Sequence, residues 1–264
     1  MARYQLTLAY DGTDFFGSQR QAKSRTVQGE LERALLKLGW AGRSVLLAGR
    51  TDTGVHATGQ VASVALDWSH PEGDLVRALN AALPADVSVK QARLVPAKFH
   101  PRFDAQSRRY RYKLFCQSLR DPIRERFAWR VWPAVDPGTL ANAAKLFHGL
   151  HDFSAFGSPT TPKGGTMRTV MKAEWLQAEQ DEWHFEVQAD AFLYRMVRRL
   201  VFVQVGVAQG KFSTGAIARS LAQPAKADPE RSRRTGSEIP AGLAPAHGLM
   251  LVEVLYPHVE SIGQ

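Results

Sequence analysis

The first half of the chain alternates hydrophobic and polar residues with two different periods. A period of two over "RYQLTLAY", residues 3–10, predicts a β-strand that ends at the Asp11-Gly12 turn. Thr26 stands before residues with helical spacing and is predicted to cap a helix that Gly39 closes. The apolar positions of this helix are Val27, Leu31, Ala34, Leu35 and Leu38.

The rest of this half continues the alternation of strands and helices. Two apolar runs, "SVLLA" and "QVASVAL", predict strands on either side of the segment "AGRTDTGVHA", residues 48–57. A helical spacing from Leu75 to Leu83 predicts a second helix, which Pro84 ends because proline cannot continue it. "VSVKQARLV" predicts the strand that completes this α+β unit.

The second half repeats this pattern at greater length. "RRYRYKLF" predicts a strand with Tyr110, Tyr112 and Leu114 on one face and basic residues on the other. A helix around residues 140–147, a loop from Gly157 to Gly165 and a hairpin of "VMKAEWL" with "WHFEVQA" follow. A long surface excursion is predicted over residues 223–246, before the last strand, "GLMLVEVLY". Two similar α+β domains are therefore expected, residues 1–104 and 105–264.

Residues 192–210, "FLYRMVRRLVFVQVGVAQG", fit both periods. The alternate valines suit a strand, but 19 residues are too many for an ordinary strand, so a helix is predicted. On that helix Arg198 lines up with an apolar flank formed by Tyr194, Val201, Phe202 and Val205. An isolated buried charge is costly, so Arg198 is expected to meet a carboxylate from elsewhere in the fold. The alternative is a side chain that extends to solvent.

Composition narrows the class of protein. The chain has 264 residues and one cysteine, Cys116, which excludes an intramolecular disulfide framework and favours a reducing cytoplasm. The first residues, "MARYQLTLAYDG", are too polar for a signal-peptide core. No apolar run reaches the roughly 18 residues of a membrane span, so no membrane association is expected.

The formal charge of +9 is unevenly distributed. Residues 98–130 hold ten lysines and arginines against three acidic residues, a net charge of +7. Phe103, Tyr110, Tyr112 and Phe115 are interleaved with them, and such a segment suits a phosphate backbone with exposed bases. An ordinary solvated basic face is the alternative interpretation.

Asp52 lies in Asp52-Thr53-Gly54, the tripeptide that aspartic proteases use. A protease needs two carboxylates that share a proton, whereas this chain has one such tripeptide and Arg50 stands beside it. Asp52 could simply cap a turn between two strands. His56 has no partners at metal-ligand spacing, and no glycine-rich phosphate loop is present, so neither a metal nor a nucleotide cofactor is expected.

Six motifs follow one another along nearly the whole chain, namely "YDGTDFFGSQRQ", "GRTDTGVHATGQV", "FHPRFDAQSRRYRY", "DFSAF", "FLYRMVRRLV" and "PAHGLMLVEVLYP". Together they resemble the TruA family of tRNA pseudouridine synthases. One departure is Ser18, where the family usually has tryptophan.

The resemblance implies a fold, an activity and a site. The expected fold is α+β, with two similar halves whose antiparallel sheets join into one central mixed sheet, an active cleft between them, and a homodimer. The expected activity is the isomerisation of flipped-out uridine to pseudouridine in the tRNA anticodon stem-loop, at roughly positions 38 to 40. The resemblance makes Asp52 the catalytic residue, Tyr110 the aromatic against the base, Arg198 the partner of Asp52, and Arg50 an aid to base displacement.

The basic segment completes these expectations. Arg108, Arg109 and Arg111 are predicted to contact the RNA backbone. The reaction exchanges no electrons and adds no atoms from outside, so no cofactor is expected. A non-catalytic RNA-binding protein is the main alternative, although an Arg-flanked carboxylate would repel phosphate in such a protein.

Overall fold

The computed structural model describes residues 1–161, 164–222 and 239–257. The described strands belong to a mixed sheet of ten strands, and five helices accompany them, which confirms the predicted α+β class. The chain divides into two compact units, residues 1–108 with the chain from Met250 onward, and residues 109–249. The sequence predicts a boundary after residue 104, with the last strand in the second domain.

The first unit is a sheet with two helices. Its elements are β1 (Ala2–Tyr10), α1 (Val27–Lys37), β2 (Leu46–Leu47), β3 (His56–Leu66), α2 (Glu72–Ala82), β4 (Val87–Val95) and β10 (Leu249–Leu255). The strand order is β4, β1, β3, β10, and β2 pairs with β3. β1 is antiparallel to both β3 and β4, whereas β10 runs parallel to β3, with Met250 opposite His56.

The sequence signals explain these elements. Thr26 caps α1 as predicted, and its hydroxyl accepts a hydrogen bond from the Gly29 N–H at 3.3 Å. The apolar faces of α1 and α2 join those of β1, β3 and β4 in one hydrophobic core. The run "SVLLA" supplies only the two residues of β2, but β3 begins at His56, so the segment with Asp52 leads directly into a central strand.

The second unit has its own strands and helices. They are β5 (Ser107–Cys116), β6 (Trp129–Val131), α3 (Pro137–Lys145), β7 (Gly149–Asp152), β8 (Met167–Gln177), β9 (Glu182–Ala189), α4 (Met196–Ala208) and α5 (Thr214–Ala222). The strand order is β5, β9, β8, β7, and β6 pairs in parallel with β5. The β8–β9 hairpin is antiparallel, as predicted.

Two features of this unit differ from the pattern in the sequence. The helix predicted over residues 192–210 is present but begins only at Met196, because Arg195 adopts a left-handed conformation with φ of 62°. β6, β7 and α5 were not predicted, since two are very short and α5 follows a stretch without clear periodicity. Most of the excursion predicted at residues 223–246 lies outside the described residues. In the described part of the chain, no helix is long and apolar enough to cross a membrane.

Candidate active site

Asp52 lies on a turn between β2 and β3 and is half-buried. The turn closes on itself because the Val55 N–H donates to the Asp52 carbonyl at 3.1 Å. Gly54 adopts a φ of 78°, which favours glycine, and its N–H donates to the Phe15 carbonyl at 3.3 Å. Arg50, two residues earlier, is exposed.

The loop between β1 and α1 holds this turn by backbone contacts. A Cβ on Gly12 would collide with the Val55 carbonyl oxygen, so only glycine permits this approach. The Gly12 N–H donates to Nδ1 of the buried His56 at 3.0 Å. Both ends of the "DTGV" turn therefore rest against residues 12–18 of the same unit.

Ser18 contacts Thr51, the residue that directly precedes Asp52. Its hydroxyl accepts the Thr51 N–H at 2.9 Å, and its own N–H donates to the Thr51 carbonyl at 3.1 Å. Ser18 is completely buried. The serine that stands in place of the family tryptophan is thus an internal support of the residue that precedes Asp52.

A cluster of buried polar side chains also contacts the segment that leads into β3. The Tyr10 hydroxyl and the Thr51 hydroxyl lie 2.9 Å apart, and Gln60 Nε2 donates to the Tyr10 hydroxyl at 3.4 Å and to the Gly49 carbonyl at 2.9 Å. Burial raises the pKa of Tyr10 to about 12, while its hydrogen bonds to Thr51 and Gln60 oppose that rise. The tyrosine is therefore neutral and acts as part of the scaffold.

Tyr110 and Arg198 belong to the second unit. Tyr110 lies on β5, is almost fully buried, and meets Phe192 edge-on with ring centroids 5.1 Å apart. Arg198 lies in the first turn of α4, half-buried, and its Nε donates to the Ala244 carbonyl at 2.8 Å. The Ala244 N–H returns a bond to the Arg198 carbonyl at 3.2 Å. The predicted pairing of Arg198 with Asp52 stays a prediction.

The positive charge of Arg198 acts on its own unit. Burial raises the pKa of Tyr112 well above its usual value, and Arg198 opposes that rise. Burial lowers the pKa of His247, the nearby Glu125 carboxylate opposes that change, and Arg198 adds to it. His247 is therefore neutral at pH 7 and adds no charge to the surroundings of Arg198.

Acidic residues from distant parts of the sequence neutralise part of the basic segment. Glu186 on β9 is 2% exposed and pairs with Arg111 and, at 3.5 Å, with Arg109. Arg124 lies 2.9 Å from Asp181 and 3.2 Å from Glu182. The charge of +7 counted along the sequence therefore overstates the positive charge that this segment offers to RNA. Sequence analysis missed Glu186, although it is an acidic residue on a strand that neighbours the arginine strand.

The four aromatic residues of this basic segment differ in exposure. Tyr112 and Phe115 are fully buried, and Tyr110 is nearly so. Phe103 alone of the four is exposed, to 75%. The ring of Tyr112 is completely buried on the core face of β5, so it has no accessible face to stack on a base. Arg108, which is predicted to contact the RNA backbone, donates hydrogen bonds to the main-chain carbonyls of Ala105 and Ala48 at 3.3 Å each.

No metal centre is found in residues 1–161, 164–222 and 239–257, where no three His, Cys, Asp or Glu side chains are grouped closely enough to hold an ion. Hydrogen bonds and packing hold the turn that carries Asp52.

Comparison with known proteins gives consistent matches. The family model for tRNA pseudouridine synthase matches residues 7–104 and 143–257. The tRNA pseudouridine synthase A of Methylacidiphilum infernorum is 42% identical over 96% of this chain and 95% of that protein. The corresponding proteins of Chloroflexus aurantiacus and Geobacter sp. are 39% and 36% identical, each over 97% of this chain and over 90% and 100% of theirs.

A mixed α+β fold and full-length matches of this strength define a class, the isomerases that modify tRNA. Within that class, the chain belongs to the tRNA pseudouridine synthase family. The predicted family and the predicted activity of a tRNA pseudouridine synthase are thereby confirmed. A chain in the crystal structure of the archaeal box H/ACA sRNP Nop10–Cbf5 complex is also similar, at 14% identity, a TM-score of 0.37, and coverage of 77% of this chain and 43% of that one.

Proposed function

We propose that this chain isomerises uridine to pseudouridine in the anticodon stem-loop of tRNA, at roughly positions 38 to 40, with Asp52 as the catalytic carboxylate. Family membership supports the activity on tRNA. The observation that carries the role of Asp52 is its turn, which Ser18, Tyr10 and Gly12 hold from several directions. A side chain that only capped a surface turn would not need a buried support of this kind.

The reaction needs one positioned carboxylate and a bound, flipped-out nucleotide. The bond between N1 of uracil and C1′ of the ribose breaks, the base rotates, and C5 bonds to C1′, while the hydrogen on C5 leaves as a proton and N1 gains a proton. Asp52 serves either as a nucleophile that holds the sugar or base covalently, or as a base that removes a sugar proton. Because the site retains the detached base, water must be kept out during the rotation.

Three other residues are proposed to act on the same nucleotide. Tyr110 lies against the target base, since Phe192 fixes its ring edge-on and leaves little rotational freedom. Arg198 pairs with the Asp52 carboxylate, and the Ala244 carbonyl holds the Arg198 guanidinium in place. Arg50, exposed beside Asp52, helps to displace the nucleotide from the RNA helix.

The remaining proposals concern the partner. Arg109 and Arg111 follow the RNA backbone together with Arg108, and Glu186 limits their charge and fixes their direction. The protein works in the cytoplasm as a homodimer.

The experiment uses tRNA transcripts labelled with tritium at C5 of uridine. The native protein should release label to water, because C5 loses its hydrogen when it bonds to C1′. Asp52→Asn should abolish release and leave tRNA affinity about the same or slightly tighter, since a negative charge is removed from an RNA site. Asp67→Asn, an exposed aspartate of the same unit, is the matched control and should release label normally.

Two results would contradict the proposal. If the native protein binds tRNA but releases no label, it is an RNA-binding protein without this activity. If Asp52→Asn loses its fold as judged by circular dichroism, the turn-capping role of Asp52 is the better explanation of its position.

A further inference from the structure

Phe103 is exposed in a way that the fold of its own unit does not explain. It lies in the loop between β4 and β5, and 75% of its surface is accessible. Its neighbours in sequence include Lys98 and Arg102, both exposed. An exposed aromatic ring beside exposed cations is typical of surfaces that bind nucleic acid.

The loop that carries Phe103 is rigid. The His100 N–H donates to the Asp104 carboxylate at 2.9 Å, and the Asp104 N–H donates back to the His100 carbonyl at 3.1 Å. The Tyr256 hydroxyl donates to the Pro101 carbonyl at 2.7 Å, and the buried Phe99 packs against Tyr256. The ring of Phe103 is therefore presented in one position rather than lying free on a flexible loop.

A second ring supports Phe103 from within the loop. The imidazole of His100 lies 4.2 Å from it, centroid to centroid, at an interplanar angle of 32°. Nδ1 of His100 accepts the N–H groups of Arg102 at 3.1 Å and Phe103 at 3.3 Å, which orients the imidazole. The guanidinium of Arg102 is 5.8 Å from the Phe103 centroid. His100 and Phe103 therefore form a tilted, stacked pair of rings with the Arg102 cation close by.

Arg108 connects this loop to the segment that carries Asp52. Its guanidinium donates to the Arg102 carbonyl in the Phe103 loop and to the carbonyl of Ala48, four residues before Asp52. Both contacts lie within the first unit. One arginine thus ties the position of the Phe103 ring to the start of the catalytic turn.

We propose that Phe103 is a stacking platform for a second, unpaired base of the RNA, distinct from the uridine that reacts at Asp52. The inference rests on the proposed function, since it assumes that RNA approaches this unit. The platform accepts purines and pyrimidines alike, because every base has a π-face and the loop offers no pattern of donors that would select one. The platform holds the RNA next to the target nucleotide while that nucleotide is flipped.

The test measures the affinity of the full chain for an unmodified tRNA transcript, with three substitutions at one position. Phe103→Ala and Phe103→Leu should weaken binding by about 5- to 150-fold, the equivalent of roughly 1–3 kcal/mol per stacked base. Phe103→Trp should restore it, because tryptophan keeps the π-face. Leu94→Ala, an exposed apolar residue of the same unit on β4, is the matched control and should bind like the native protein.

The dependence of affinity on salt separates stacking from charge. Loss of a stacking contact should lower affinity by the same factor at every salt concentration, whereas loss of one phosphate contact reduces the slope by about 0.9. Arg102→Gln should reduce the slope, and Phe103→Ala should leave it unchanged.

Three outcomes would overturn the inference. Native affinity in Phe103→Ala would show that no base stacks there, and native affinity in Phe103→Leu would show an apolar contact without stacking. A change in sedimentation mass in Phe103→Ala would show that a second copy of the chain covers the ring. Label release by the native protein is measured in parallel, so failure of the proposed function is seen separately.

Discussion

Replacement of Ser18 by alanine tests how far the turn that carries Asp52 depends on one buried hydroxyl. The change removes the oxygen that accepts the Thr51 N–H at 2.9 Å. Ser18 is completely buried and Thr51 is 7% exposed, so water cannot replace the lost acceptor without rearrangement. A buried donor left unsatisfied costs about 1–3 kcal/mol, and we expect the free energy of unfolding to fall by that amount.

Ser18→Ala should lower kcat by more than its loss of stability explains. Thr51 precedes Asp52 directly, and its N–H can regain a partner only if the turn moves. A displacement of about 1 Å in a reacting group costs on the order of 100-fold in rate, so kcat for label release should fall by about 10- to 100-fold. KM for tRNA should change little, because no RNA contact is removed.

The assay is tritium release at saturating tRNA, at a temperature where circular dichroism shows the variant to be folded. Ser63→Ala is the matched control, since Ser63 is a buried serine on β3 of the same unit whose hydroxyl receives only a 3.4 Å contact from Arg3. It should keep native kcat. The reasoning would be refuted if Ser18→Ala kept kcat within about twofold of this control, or if its unfolding were unchanged.

Three further predictions follow from contacts in the second unit. Arg198→Met should preserve the packing of α4 but lower kcat for label release at least about 100-fold, and a nearly normal rate would contradict its pairing with the catalytic carboxylate. Glu186→Gln should destabilise the unit by at most about 3 kcal/mol in denaturant unfolding, because Arg111 can partly rehydrate, and should steepen the salt dependence of tRNA binding. The hydrogen bond from Arg124 lowers the pKa of Asp181 below its usual value, so the stabilisation is present above the ordinary pKa of an aspartate and is lost as the pH falls through the lower, folded-state pKa. In Asp181→Asn the melting temperature should therefore fall less steeply as the pH is lowered. An unchanged dependence of the melting temperature on pH would contradict this prediction.

Much of the fold could be predicted from local pattern. Thr26 capped its helix as expected, and the alternation in β5 and β9 identified their core faces, with Tyr112 and Phe185 fully buried. These predictions succeed because capping and amphipathic periodicity depend on residues only a few positions apart. The start of α4 was less accurate, because the left-handed Arg195 that delays the helix has no signature in sequence.

Contacts between distant residues explain what could not be predicted. The basic segment is positively charged in sequence, but Glu186 and Asp181 reach its arginines only once β9 lies beside β5. Likewise, Ser18 differs from the family tryptophan in sequence, but only the structure shows that it is buried against Thr51. The sequence shows which residues are charged and which residue departs from a family motif. Tertiary packing decides which other residues they contact.

The sequence by itself determined the family, the α+β class and the identity of the candidate carboxylate, because these depend on motifs and on short-range periodicity. Only the tertiary structure decided which aromatic ring is left on the surface, which arginines are already paired, and what holds the Asp52 turn. Those properties arise from burial and from hydrogen bonds between segments far apart in sequence, such as Ser18 with Thr51, and no local pattern records them.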